Sequence, residues 1–292
     1  MHRAPLAALL TLAVAAGCVA GCAGRPERGQ DVVTAFYPLQ FLSQRITGDP
    51  GAVVNLTKPG AEPHDVELNP RQVAQVADAR LAVYLHGFQP AVDAAVGQEA
   101  KGRSFDVTTV IDLIPLADSK SPDPHVWLDP VRFAAIGDAL AARLGRDDPA
   151  HAADYTARGA ALHAELDQLN DEYARSLATC QRRELVTSHS AFGYLAARYG
   201  LTQVGITGIS PEAEPSPRRL AQVAADARDT GTTTIFFETL VSPKVADTIA
   251  REVGARTAVL DPLEGLTDPS ADYFTVMRAN LAALTSALGC PA

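Results

Sequence analysis

After residue 22 the sequence has no long apolar run, so no second segment is able to cross a bilayer. Basic patches are missing as well. Beyond the first 21 residues the chain carries 24 basic and 34 acidic side chains, net −10, which argues against nucleic acid as a partner. Cysteine is scarce: there are four, none in a CxxC pair, which argues against a thiolate metal site. The chain also lacks HExxH, GxSxG and any glycine-rich phosphate loop, so the signatures of zinc hydrolases, serine hydrolases and nucleotide-binding enzymes are absent.

What is present starts at the N-terminus. "MHRAPLAALLTLAVAAGCVAGC" sets His2 and Arg3 before an apolar run from Leu6 to Ala16, then small residues. This reads as a secretory signal, too short for a permanent span. Val19-Ala20-Gly21 ahead of Cys22 resembles the lipobox of bacterial lipoproteins, in which the cysteine is lipidated; Cys18 fits less well, and a plain signal peptide is the alternative. Residues 1–21 are then the signal peptide and 22–30 a lipidated, polar tether. About 270 residues remain, enough for one large or two medium α/β domains. Cys180 and Cys290 are the cysteines of the body. In an oxidising compartment a disulfide is their default, closing a loop worth about 4–5 kcal/mol in the chain-entropy model.

Short β-rich runs alternate with helical patterns. The strands expected are 32–35, 52–57, 81–85, 105–107, 184–187, 203–206, 233–237 and 255–260. The helices are 36–47, 70–79, 88–99, 130–144, 190–199, 216–230, 242–253 and 270–288. Such alternation predicts parallel sheets covered by helices. Residues 149–178 break the rhythm: Tyr155, Leu162, Leu166, Leu169, Tyr173 and Leu177 mark one amphipathic helix of about 45 Å, with Asp148 as its cap and Pro149 in its first turn. The chain therefore divides into an N-terminal lobe (31–147), a stiff linker helix (148–179) and a C-terminal lobe (180–292), with small lobe motions expected.

His64 follows a strand in "KPGAEPHDVELNP", His125 precedes a helix in "DPHVWLDP", and His189 ends a strand in "LVTSHSAFGYLA". Doubly wound sheets bind ligands outside the C-terminal ends of their strands, so three histidines fall where such folds place sites. Each alone reads more simply as a hydrogen-bonded structural histidine; together they form a candidate metal set. His2 lies in the signal, and His151 and His163 read as solvated helix residues with no carboxylate in register. Asp261 ends a strand in "AVLDPLEGL", but Asp-Pro recurs at 49–50, 123–124, 129–130, 148–149 and 268–269 as the chain's habitual turn or cap. Asp129-Pro130 fits a cap and first helical residue. Trp127, two residues beyond His125, shares its side of an extended segment and either walls a site there or braces the imidazole.

Taken in order, "GAEPHDVELNP", "DPHVWLDP", "VTSHSAFGYLAARYG", "GISPEAEPSPRRL", "IFFETLVSPKVADTIA" and "VLDPLEGL" resemble the zinc/manganese-binding solute-binding lipoproteins of ABC importers, cluster A-I, zinc branch. The resemblance covers nearly the whole mature chain. It implies an α/β fold of two lobes, with parallel sheets flanked by helices, joined by one long rigid helix, with the metal in the cleft. It implies His64 and His125 from the N-terminal lobe and His189 and Asp261 from the C-terminal lobe as ligands. Histidine at 189 resembles the zinc members; manganese members carry glutamate there. Three neutral imidazoles and one carboxylate suit tetrahedral Zn2+ at about 2.0–2.2 Å, whereas Mn2+ prefers more oxygen and Cu2+ would also bind tightly. Binding should weaken below about pH 6.5 as imidazoles protonate.

Two departures stand out. "ADSKSPDP" replaces the His-rich loop of many zinc members, and His86-Gly87 stands where Asn-Gly is usual. His86 then backs a ligand, substitutes for one, or packs in the core. Glu62 is a stand-in ligand if Asp261 is unused, and Glu238 a candidate ion-pair partner near the cleft. The function implied is capture of Zn2+ outside the cell and delivery to a membrane permease, by a monomer that is not an enzyme. The chain would be lipid-anchored at the outer face of the bacterial cytoplasmic membrane, or periplasmic. The alternatives are a manganese-binding homologue, a surface adhesin and a zinc hydrolase, the last disfavoured because a fourth protein ligand closes the site.

Overall fold

The computed structural model describes residues 31–115 and 122–291. The signal peptide, Cys22 and the tether lie outside the described residues, as do the first five residues of "ADSKSPDP". The first lobe runs β1 (Val32–Thr34), α1 (Tyr37–Thr47), β2 (Val53–Asn55), α2 (Pro70–Asp78), β3 (Leu81–Tyr84), α3 (Pro90–Glu99) and β4 (Ser104–Asp106). Two long helices follow, α4 (Pro130–Asp147) and α5 (Ala152–Leu177). The second lobe runs β5 (Glu184–Thr187), α6 (Gly193–Tyr199), β6 (Thr202–Gly205), α7 (Pro217–Asp229), β7 (Thr234–Phe237), α8 (Lys244–Val253), β8 (Arg256–Val259) and α9 (Tyr273–Leu288).

Strands β1 to β4 form one parallel sheet in the order β2-β1-β3-β4, and β5 to β8 repeat that order as β6-β5-β7-β8. Central strands are short, β-branched and buried, as "VVT" in β1 and "TIFF" in β7 illustrate. Register aligns Val33 with Val54 and Ala82, and Val186 with Val204 and Ile235. In each sheet the chain order reverses beside the first strand. The crevices at β1/β3 and β5/β7 are the places where such sheets hold ligands.

Local chemistry sets the helix starts. Asp129 accepts from the Val131 N–H (3.1 Å) ahead of Pro130, and Asn69 forms a capping box with Gln72 ahead of Pro70. The start of α5 differs from the cap expected at Asp148. Residues 149–151 form a 3-10 turn and α5 begins at Ala152. The Asp148 carboxylate instead takes the Tyr155 hydroxyl (3.0 Å) and His151 Nδ1 (2.8 Å). The helix has 26 residues, about 39 Å. It buries Gly159, Leu162, Leu166, Leu169, Tyr173 and Leu177 along one stripe. A Cβ on Gly159 would lie 2.9 Å from Ala141 Cβ, so glycine permits the close approach of α4. One apolar core is continuous from β1 and β3 through α4, α5 and α9 to Leu185 and Phe236 of the second sheet. A smaller core fills the far face of that sheet beneath α7 and α8. A disulfide joins Cys180, after α5, to Cys290, after α9. No helix among the described residues is long and apolar enough to cross a membrane.

Candidate metal centre

Three histidines meet at the facing strand ends. His64 lies in the loop between β2 and α2, His125 just before a 3-10 turn at 126–128, and His189 just after β5. Their Nε2 atoms converge on one carboxylate oxygen, Glu264 Oε1, at 3.2, 2.9 and 3.2 Å, and His125 Nε2 lies 3.4 Å from His189 Nε2. All four residues are buried, and their donor atoms lie within 4.8 Å of one another. A tetrahedral centre with bonds of about 2.0–2.1 Å spaces its donors about 3.3–3.4 Å apart, so this cluster is nearly the size of a zinc coordination shell. Glu264 Oε2 is buried and accepts no hydrogen bond among the described residues. An unanswered carboxylate oxygen in a dry site is costly, and a cation answers it.

Asp261, expected as the fourth ligand, is not part of this cluster. Its carboxylate accepts from the Leu263 N–H (2.8 Å) and the Thr239 hydroxyl (2.9 Å). Its backbone pairs both ways with the Asn280 side chain of α9, at 2.9 and 2.7 Å. That turn puts Leu263 at φ 61°, a left-handed conformation that costs about 1–3 kcal/mol for such a residue. The costly turn reverses the chain and carries Glu264 inward. Asp261 therefore shapes the loop, and Glu264 supplies the carboxylate. The sequence places both acids after one strand, and nothing local indicates which of them turns in.

The backing groups are also specific. His125 Nδ1 meets Asp123 Oδ1 at 2.8 Å, and the same oxygen accepts the His125 N–H at 3.0 Å. His189 Nδ1 meets Glu238 Oε1 at 2.7 Å, and Ser188 Oγ donates to that oxygen at 2.9 Å. Carboxylates at Nδ1 fix the ring and leave Nε2 free for a metal. Asp123 was hidden in the sequence by the chain's habit of using Asp-Pro as a turn. Trp127 lies in the 3-10 turn rather than an extended segment, yet its ring lies beside the His125 ring, tilted by 58° with the centroids 5.3 Å apart. Phe88 contacts the His64 ring edge-on at 4.7 Å.

Glu62 accepts the His64 N–H at 3.0 Å and stays 3.9 Å from His64 Nε2, so Glu264 holds the place offered to it. His86 neither packs in the core nor joins the cluster. It is 65% exposed and lies 3.5 Å from Asp93. His151 and His163 are solvated as expected, but each has a carboxylate partner: Asp148 for His151, and both Asp138 (2.7 Å) and Asp167 (3.5 Å) for His163. Asp167 is four residues on from His163, a pairing the helical register already offered.

Burial dominates the electrostatics, and the carboxylates decide its outcome. Burial lowers the His64 pKa, with Glu264 only partly offsetting it. Burial also opposes protonation of His125 and His189, but there the acids win. Asp123 and Glu264 raise the His125 pKa, and Glu264 with Glu238 raises that of His189 to about 10. Burial would raise the Glu264 pKa, yet the three imidazoles, His189 foremost, hold it well below the usual carboxylate range. Burial likewise pushes Glu62 up to about 7, with Glu264 adding to the rise.

Two like sheets meeting strand end to strand end, with a buried three-imidazole, one-carboxylate cluster between them, define the class: a two-lobed solute-binding protein built to hold a cation. The family is narrower. Residues 32–287 match the "Zinc-uptake complex component A periplasmic" family, and the chain belongs to it. That family is extracytoplasmic; its members are solute-binding components of ABC importers that work with a membrane permease, and are not enzymes. The chain is 34% identical over 309 residues to the high-affinity zinc uptake system protein ZnuA of Bacillus subtilis, covering 95% of this chain and 97% of that protein. The structure of laminin-binding protein Lmb of Streptococcus agalactiae, described as a bifunctional protein with adhesin and metal transporting activity, is similar at TM-score 0.81 and 36% identity, covering 89% of this chain and 100% of that one. Zn(II)-bound AdcA from Streptococcus pneumoniae is similar at TM-score 0.77 and 34% identity over 89% of this chain, which spans only 58% of that longer protein.

Proposed function

We propose that this chain captures one Zn2+ between its lobes, with His64, His125, His189 and Glu264 as ligands, and delivers it to the permease of an ABC importer. The observation that carries the reading is the convergence of three Nε2 atoms on Glu264 Oε1 at 2.9–3.2 Å, with a buried partnerless oxygen beside them. Three nitrogens and one carboxylate favour Zn2+ over Mn2+. Four protein ligands leave no open position for a catalytic water, in keeping with transport. On this reading the chain works as a monomer held at the membrane by a lipid on Cys22, with residues 23–30 as the tether.

Elemental analysis of residues 23–292, purified after incubation with a Zn2+ and Mn2+ mixture, tests it. One bound zinc per chain with little manganese is expected. A chain that holds no zinc, or prefers manganese, overturns it. Metabolic labelling with palmitate tests the anchor, and loss of label in Cys22→Ala is expected. An adhesive role draws its support from the likeness to the laminin-binding protein; binding to immobilised laminin, with and without zinc, tests that reading.

A further inference from the structure

His125 belongs by sequence to the first lobe, yet its segment is fastened to the second. The Tyr194 hydroxyl of α6 donates to the Asp123 carbonyl at 2.9 Å and accepts the Ile114 N–H at 2.7 Å. The Trp127 indole donates to the Pro262 carbonyl at 2.7 Å, in the turn that delivers Glu264. The Tyr273 hydroxyl of α9 donates to the Trp127 carbonyl at 2.7 Å. Arg198 of α6 grips Asp129 with two bonds, Nε at 2.9 Å and a terminal amine at 2.8 Å. Asp123, Trp127, Asp129, Tyr194 and Tyr273 are all essentially buried. Paired planar contacts of this kind hold geometry as well as supplying energy.

The His64 loop is fastened differently. The Ala61 N–H bonds the Lys58 carbonyl and the Val66 N–H bonds the Pro63 carbonyl, within the loop itself. Gln89, from the first lobe, donates to the Pro63 carbonyl at 3.0 Å.

From this difference we infer that Tyr194, Arg198 and Tyr273 are positioning residues that unite His125 with His189 and Glu264 as one preassembled three-ligand half-site, to which His64 is added as the fourth ligand. The mechanical boundary through the centre runs between His64 and the other three, not between the lobes as the chain divides them. The inference rests on the zinc-binding reading above.

The test is zinc competition titration and stopped-flow release to a chelator, with Co2+ absorption as a coordination readout. Tyr273→Phe and Arg198→Lys remove single anchors conservatively. Each should speed zinc release about 10- to 100-fold, the usual scale for groups that orient ligands, while the protein stays folded by circular dichroism. His64→Ala should still bind Co2+, with one position that added imidazole fills and with a changed spectrum, whereas His125→Ala should show no such rescue. Wild-type release rates in folded Tyr273→Phe and Arg198→Lys would overturn the inference. So would equal imidazole rescue of His64→Ala and His125→Ala. Failure of the wild type to bind zinc would instead sink the functional reading itself.

Discussion

His64 and His125 reach the same oxygen of Glu264, but their surroundings differ at every level. His125 is fully buried, backed by Asp123, flanked by Trp127 and shifted towards protonation. His64 is 8% exposed, lies edge-on to Phe88, and is shifted away from protonation by burial. One ring is clamped and pushed towards its charged form by Asp123 and Glu264, the other is pushed towards its neutral form by burial and held mainly by its own loop. The same residue type therefore meets an incoming cation in two ways. At His64 burial already favours the neutral ring that a metal needs, while at His189 the metal must displace a proton.

The sharpest way to break the comparison is to delete the clamped arm. His125→Ala or His189→Ala leaves Glu264 short of an opposing charge in a buried site, so zinc affinity should fall about 10²–10⁴-fold, measured by competition with a fluorescent chelator. Wild-type affinity in either variant would remove that histidine from the site. A smaller change spares the ring and removes only its backing. Asp123→Asn should cost about 10- to 100-fold in affinity. Gly193→Ala should act the same way, because its new Cβ would lie 2.6 Å from Asp123 Oδ2. If both keep full affinity, Asp123 does not orient His125.

The pH response follows from His189. Its pKa of about 10 keeps it protonated at neutral pH in the zinc-free protein, so zinc must expel that proton. Affinity should therefore climb about tenfold per pH unit between pH 7 and 9, rather than level off above about pH 6.5 as free imidazoles imply. A flat profile above pH 7 would contradict the charged state. The sign for stability is opposite. A raised pKa stabilises the zinc-free fold fully below the unfolded value of about 6.5, and that contribution is lost as pH rises through about 10. The melting temperature of zinc-free protein should fall over that window. The smallest effect on zinc belongs to the disulfide. It sits near the start of β5, at the opposite end of that strand from His189. Cys180→Ala with Cys290→Ala should lose about 2–5 kcal/mol of stability and leave zinc affinity near wild type.

Most of the fold was legible in the sequence because its signals are local. Strand and helix periodicities alternate cleanly, and Asp129-Pro130 marks its own helix start. The three histidines were legible because strand ends are where such sheets place ligands. Glu264 was not, because its direction depends on partners far along the chain. Asn280 pins Asp261 from 19 residues away, and Trp127 holds Pro262 from 135 residues away. Leu263 adopts a left-handed backbone that no local preference would suggest. Asp123 was masked by a turn motif that the chain uses repeatedly, and Asp148 by a cap position whose side chain is engaged elsewhere.

The most direct test of the four-ligand centre compares two acids three residues apart. Glu264→Ala removes the carboxylate at the centre. Asp261→Asn keeps an oxygen to accept the Leu263 N–H and hold the turn. Zinc competition titration of the two, side by side, should show Glu264→Ala weakened about 10²–10⁴-fold and Asp261→Asn close to wild type. The reverse order, with Asp261→Asn crippled and Glu264→Ala intact, would contradict the account.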